Sequence, residues 1–180
     1  PEGMPRHTDE CRFRGYPFAA DPSQQLARMD GDDIKPLIEG AEYLFTNEYE
    51  AALIEQKTGW TAADLAAIVN VRIITLGPDG ARIERRGCDP VLVGVPEEES
   101  KADPTGVGDA FRAGFLAGQS WGLSDERSAQ VGSLVATYVI ETIGTQEYQL
   151  AEQHFLQRLA TAYGDDAAAE INQHVSCPRP

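Results

Sequence analysis

Three short apolar runs, each closed by polar or turn-forming residues, constrain this chain more than any other feature. Residues 16–20 end in Asp21-Pro22-Ser23, Tyr43-Leu-Phe-Thr46 ends on Asn47, and the β-branched run Val71-Arg-Ile-Ile-Thr-Leu76 ends in Gly77-Pro78-Asp79-Gly80. Runs of that length bounded by turn residues read as buried strands, while the stretches 32–41, 48–57 and 61–69 between them read as helices. Strands alternating with helices predict an α/β fold whose strand ends deliver polar residues into a crevice. Residues 81–86 and 91–95 read as a hairpin around Gly87-Cys88-Asp89-Pro90. Helices then follow from Phe111, over 123–143 and over 149–163, and Gly114 and Gly118, one turn apart, predict close packing of the first against the sheet.

The stretch Asp103-Pro-Thr-Gly-Val-Gly-Asp-Ala-Phe111 sets two glycines and an aspartate directly before an apolar helix. Gly106 and Gly108 let the loop turn sharply and aim backbone N–H groups at an anion, and the helix start adds the positive end of its dipole. Asp109 at that start reads two ways: as a carboxylate favoured by the dipole, or as a base facing a substrate hydroxyl and a phosphate. The stretch is not a Walker A loop, since no Gly-Lys-Ser/Thr follows, nor a dinucleotide fingerprint, since a third glycine is missing.

The strand exits carry further polar candidates, each with a structural alternative. Gln24 and Gln25 could read a polar ligand, or follow an ordinary cap and turn made by Asp21 and Ser23. Asn47 and Glu50, at i and i+3, could hold a hydrated Mg²⁺ and its phosphates, or form the capping box of the next helix. Thr75 and Gly77 place a small polar residue and a glycine at a strand end, where a simple hairpin turn is the other reading.

Composition narrows the function. With 29 acidic against 15 basic residues and a formal charge of −14, the chain lacks the basic stripe of a nucleic-acid or anionic-membrane surface, so a phosphorylated ligand must be met by local donors or a metal. The 180 residues suit one domain, and Cys11, Cys88 and Cys177 are too scattered for a disulfide framework or metal site, as expected of reduced cytoplasmic thiols. His7, His154 and His174 show no ligand spacing and read as solvated or capping. The run Glu97-Glu98-Glu99 reads as a solvated loop. No apolar run reaches membrane-spanning length and no signal peptide opens the chain, so the cytoplasm is expected.

In order and separation, Asn47-Glu-Tyr-Glu50, Thr75-Leu-Gly-Pro-Asp-Gly80 and the 103–111 stretch resemble the ribokinase-like (PfkB) carbohydrate kinases. The last is similar to that family's Asp-Thr-x-Gly-x-Gly-Asp-x-Phe signature with Pro104 inserted. Extended through Arg112-Ala-Gly-Phe115 and taken together with Ala20-Asp-Pro-Ser-Gln-Gln-Leu-Ala27, it looks most like bacterial adenosine kinases. The resemblance implies a three-layer α/β/α ribokinase-like sheet, and transfer of the ATP γ-phosphoryl to the 5′-hydroxyl of adenosine, giving AMP and ADP. Asp109 would be the base, and Gly106, Val107 and Gly108 the anion hole. Asn47 and Glu50 would organise Mg²⁺. Thr75, Gly77, Gly80 and Gly144 would lie along ATP, with residues 136–144 walling its adenine. Gln24 and Gln25 would contact the nucleoside, and Asp103 and Thr105 a monovalent cation such as K⁺. Other family acceptors, ribose or fructose, and a non-catalytic nucleotide-binding fragment are the alternatives. The likeness runs from about residue 8 to about residue 171. It implies an irregular lead-in over 1–15, the nucleotide-binding and catalytic portion over 16–171 and a polar tail over 172–180. The family's N-terminal strands, substrate-holding aspartate and lid have no counterpart here, so the sheet is expected to be incomplete. A homodimer is an expectation for the complete protein only.

Overall fold

The computed structural model describes residues 3–175. Two compact units divide the chain. The first is Pro1–Gly77 with Arg82–Pro90, and the second is Pro78–Ala81 with Val91–Pro180.

In the first unit, β1 (Ala19–Ala20), β2 (Tyr43–Asn47) and β3 (Val71–Thr75) run parallel, with Ala19 opposite Tyr43, Tyr43 opposite Val71 and Asn47 opposite Thr75. β4 (Ala81–Arg85) lies next to β3. The predicted first strand is shorter than its apolar run. β3 is buried along its first four residues, as a strand covered on both faces should be. Arg72 is buried within it, and its guanidinium is paired with Glu55 (3.1 Å) and Glu84 (3.4 Å), which offsets the cost of taking a charge out of water. The strands are joined through α2 (Gly31–Ile38), and through α3 (Glu48–Thr58) and α4 (Ala62–Ile68). Ala20, Leu26, Ile34, Ile38, Leu44, Ile54 and Leu65 from these elements form one core cluster.

The lead-in expected to be irregular is instead a helix, α1 (Gly3–Arg14), with no buried residue and hence no apolar period to betray it. Its tie to the unit is polar. The Arg12 guanidinium donates to Glu39 O (2.7 and 3.0 Å) and to Pro36 O, carbonyls that the end of α2 leaves without helical partners.

The second unit holds β5 (Val91–Val93), α5 (Val107–Ser120), α6 (Asp125–Ile140), α7 (Glu152–Tyr163) and α8 (Asp165–Val175). The α5 glycines meet α6. A Cβ on Gly114 would lie 2.7 Å from Gly132 Cα, one on Gly118 2.7 Å from Ser128 Cα, and one on Gly132 2.7 Å from Phe111 O. Close packing was correctly expected, but the partner is a helix backbone. Alanine in a helix interior ordinarily gains stability over glycine, yet at Gly132 the added methyl meets backbone first and the Phe111 ring (3.1 Å) just behind it. Gly132→Ala is therefore expected to destabilise by about 1–3 kcal/mol, read as a lower melting temperature; a rise in Tm would mean the two backbones can part freely.

The stretch after Gly164 also departs from expectation. Residues 165–175 form α8, anchored by buried Ala167 and Ile171 one turn apart, so the tail predicted from residue 172 begins inside a helix. The rest of that tail, with Cys177, lies outside the described residues, as does Pro1. Cys11 and Cys88 are free thiols. Among the described residues no helix is long and apolar enough to cross a membrane, and no cluster of His, Cys, Asp or Glu is placed to hold a metal ion.

Candidate active site

The residues singled out in the sequence divide between the two units. In the first unit, parallel pairing aligns the carboxyl ends of β1, β2 and β3 along one sheet edge, the place where open α/β sheets present ligand-binding groups. At the β1 exit, Gln24 and Gln25 sit on a 3-10 turn, Ser23–Ala27, with Gln24 exposed. Buried Leu26 pins this turn from below, and the Lys57 ammonium gathers the carbonyls of Leu26 (2.6 Å) and Met29 (2.7 Å) at its far end. Ser23 adopts φ 45°, a strained value for a residue with a Cβ, and its hydroxyl donates to the Asp21 carboxylate (2.7 Å).

At the β2 exit the capping box is present in full. Asn47 Oδ1 accepts from Glu50 N (2.8 Å), and Glu50 Oε2 accepts from Asn47 N (2.9 Å). This bonding fixes both side chains at the exposed start of α3 and uses one Glu50 oxygen, leaving Oε1 for a water of a hydrated cation. Capping and metal organisation are therefore compatible. Asn47 is directly opposite Thr75, whose hydroxyl donates to Thr46 O at 3.4 Å, and Gly77 follows at φ 59°.

In the second unit the 103–109 turn is built from its flanks inward. Upstream, the N–H groups of Ala102 (2.8 Å) and Asp103 (3.2 Å) donate to Ile140 O at the end of α6. The Asp103 carboxyl is held below its ordinary value by the Thr105 side chain and N–H and by the Gly144 N–H. Gly106 then takes φ 84°, the left-handed region that glycine enters without strain, and a Cβ there would sit 2.8 Å from Thr145 Cγ2. The loop thus rests on the Gly144-Thr145 turn, which brings Asp103, Thr105, Gly106 and Gly144 together. A cation at Asp103 and Thr105 would compete with those N–H donors for the same carboxylate. Gly80, at φ 95°, is backed against Val93 O and leaves no room for a side chain.

Gly106 is the N-cap of α5, and Ala110 N closes the first helical bond onto Gly106 O (2.9 Å). Val107 N reaches Pro104 O at 3.4 Å, so the first-turn N–H groups left without a helical acceptor are those of Gly108 and Asp109. Gly106, Val107 and Gly108, the expected anion hole, thus lie together at the start of α5 with Asp109 next in sequence. The Asp109 side chain is 86% exposed and its Oδ1 accepts from Arg112 Nη1 at 3.0 Å.

Sequence reasoning gave Arg112 no role, although it lies in the stretch that carries the resemblance and three residues after Asp109. It also missed a scaffold behind the turn. The Arg158 guanidinium grips Glu141 with two parallel bonds (2.7 and 2.8 Å) and also donates to Glu97 O (3.0 Å), while Glu141 accepts from Glu99 N (2.8 Å). Two residues of the acidic run, Glu97 and Glu99, are thus tethered by their backbone. His154 is not simply solvated: Nδ1 lies 2.9 Å from the Tyr138 hydroxyl and Nε2 3.6 Å from Glu99. His174 stacks on Trp121, and His7 is exposed.

This arrangement has clear relatives. The nucleoside kinase of Burkholderia thailandensis, solved in complex with inosine, is 37% identical with a TM-score of 0.86, covering 91% of this chain and 54% of that one. The same kinase has been solved in complex with ADP-inosine. The nucleoside kinase of Methanocaldococcus jannaschii is 27% identical over 147 residues, 80% of this chain and 48% of its own. The adenosine kinase of Sinorhizobium meliloti is 27% identical with a TM-score of 0.67, covering 89% of this chain and 48% of that one. The chain spans about half the length of the relatives it matches. The sheet and helices are those of a ribokinase-like α/β fold, and the family model described as pfkB family carbohydrate kinase matches residues 6–152. This chain belongs to the pfkB family of carbohydrate kinases.

Proposed function

We propose that the protein carrying this sequence transfers the γ-phosphoryl group of ATP to the 5′-hydroxyl of a purine nucleoside, with adenosine, giving AMP and ADP, as the first substrate to test. The observation that carries this reading is the start of α5. Unpaired N–H groups of Gly108 and Asp109 and an exposed carboxylate share one helical turn, so charge can be collected on a transferred phosphoryl beside a group able to take the acceptor proton. Asp109 Oδ2 is the oxygen free of the Arg112 contact and is assigned as the base. Nucleoside kinases among the relatives, one solved with inosine and with ADP-inosine, support a nucleoside acceptor.

The remaining residues take roles by their chemistry. Gln24 and Gln25 offer amide donors and acceptors to a nucleoside. Asn47 and Glu50 would hold hydrated Mg²⁺, which neutralises phosphate charge when bound. Thr75 and Gly77 lie at the next strand exit, and Gly80, backed against Val93 O, and Gly144 would lie along the nucleotide. Asp103 holds the catalytic loop.

Full-length protein should be given ATP and, separately, adenosine, inosine, ribose, fructose and myo-inositol, with phosphorylated products resolved by chromatography. The expected result is a nucleoside 5′-monophosphate formed with higher kcat/KM than any sugar phosphate. A preference for a free sugar would end the nucleoside reading and leave the sugar-kinase one.

A further inference from the structure

Arg112 is the only basic residue between Ala102 and Ser120, in a chain of net charge −14 whose proposed task is to bring a polyphosphate to a carboxylate. Its guanidinium is only 22% exposed and does not trail into solvent. Nη1 bonds Asp109 Oδ1 at 3.0 Å, and a Cβ built on Gly108 would lie 2.9 Å from the same nitrogen. The cation is therefore laid over the first turn of α5, filling the space that a side chain at position 108 would take. Gly108 thus admits the guanidinium as well as freeing the backbone.

We propose that Arg112 is the positioning residue of Asp109, holding Oδ1 so that Oδ2 faces the acceptor hydroxyl. The proposal rests on the phosphoryl-transfer reading above. An 86% exposed aspartate at a helix start would otherwise sample several rotamers. One charge-assisted bond to a guanidinium held in place by its own helix selects among them, and misplacing a reacting group by about 1 Å costs on the order of a hundredfold in rate. The competing account is an ordinary i,i+3 helix pair, which stabilises α5 slightly and leaves the chemistry alone.

Arg112→Gln and Arg112→Lys in the full-length protein separate these accounts. For positioning, Gln should lower kcat by about a hundredfold with KM for ATP and nucleoside little changed, and Lys, which restores the charge without the planar fork, should recover roughly tenfold of it. A crystal structure of the Arg112→Gln protein without substrates should show Asp109 in more than one rotamer. Near-parental kcat with a lower Tm would overturn the proposal in favour of the helix pair. A rise confined to KM for ATP would overturn it in favour of direct phosphate binding. Should the parent protein phosphorylate no nucleoside, the nucleoside-kinase reading fails by itself, and the rotamer decides Arg112: Asp109 unmoved in a single conformer overturns the positioning role.

Discussion

Asp109→Asn is expected to lower kcat for phosphoryl transfer in the full-length protein by about a thousandfold, the scale of a lost general base. The substitution is close to isosteric and retains an oxygen able to accept from Arg112, so the first turn of α5 keeps its shape. It removes only the capacity to take a proton. Because the side chain is 86% exposed, the fold should notice little beyond a weaker helix-dipole interaction of about 0.5 kcal/mol. Steady-state kinetics paired with a thermal melt checks both halves of the expectation. Turnover near the parental rate would remove Asp109 from the mechanism, while a collapse in Tm would mean that the rate reports folding.

The second large effect is expected far from that carboxylate. Arg158 and Glu141 are 10% and 11% exposed, and truncating either leaves the other charge buried without its main partner. Arg158→Ala should cost about 3 kcal/mol, a fall in Tm of roughly 6–12 °C for a chain of this size, and Glu141→Ala should cost a similar amount. The pair also gives the sign of an acid sensitivity. Burial opposes ionisation of Glu141, but the Arg158 bonds and the Glu99 N–H outweigh it and hold the carboxyl below its ordinary 4.5. Above 4.5 the contribution is fully present. As pH falls from 4.5 towards the lower folded-state value, the unfolded chain takes up the proton first and stability declines. Arg158→Ala should flatten that part of the stability–pH curve. A Tm within 1 °C of parental at pH 7, where the pair contributes fully, would show it to be dispensable.

The fold was legible where local chemistry and tertiary packing agree. The β2 and β3 runs were legible because they are mostly β-branched or apolar, with Arg72 the buried exception, and Asn47 followed by Glu50 spells both a helix start and a strand exit. The 103–111 stretch was legible as a turn before a helix because its glycines reach backbone conformations that other residues rarely adopt, as Gly106 does at φ 84°. What escaped was held by partners distant in sequence or by polar ties. α1 has no apolar face and docks through one arginine on carbonyls 24 and 27 residues away. α8 has two buried anchors in eleven residues, too few to stand out as a period. Gly106 resting on Thr145 and the grip of Arg158 on Glu141 exist only once α5, α6 and α7 are assembled. The contact of Val107 N with Pro104 O, the residue inserted relative to the family signature, likewise exists only in the folded turn.

The glycines that let α5 and α6 touch backbone to backbone also set the tolerance of the machine. Flexible side chains between two helices act as a cushion that absorbs sliding and tilting; here that layer is thinned to backbone contact at Gly114 and to backbone with the Ser128 and Phe111 side chains at Gly118 and Gly132. Asp109 and the two open N–H groups sit at the N-terminal end of a helix whose body is seated on that seam. The cost falls on evolvability. A seam already at contact distance accepts an added methyl only at a cost in stability, a constraint that does not reach an exposed position such as Gln24.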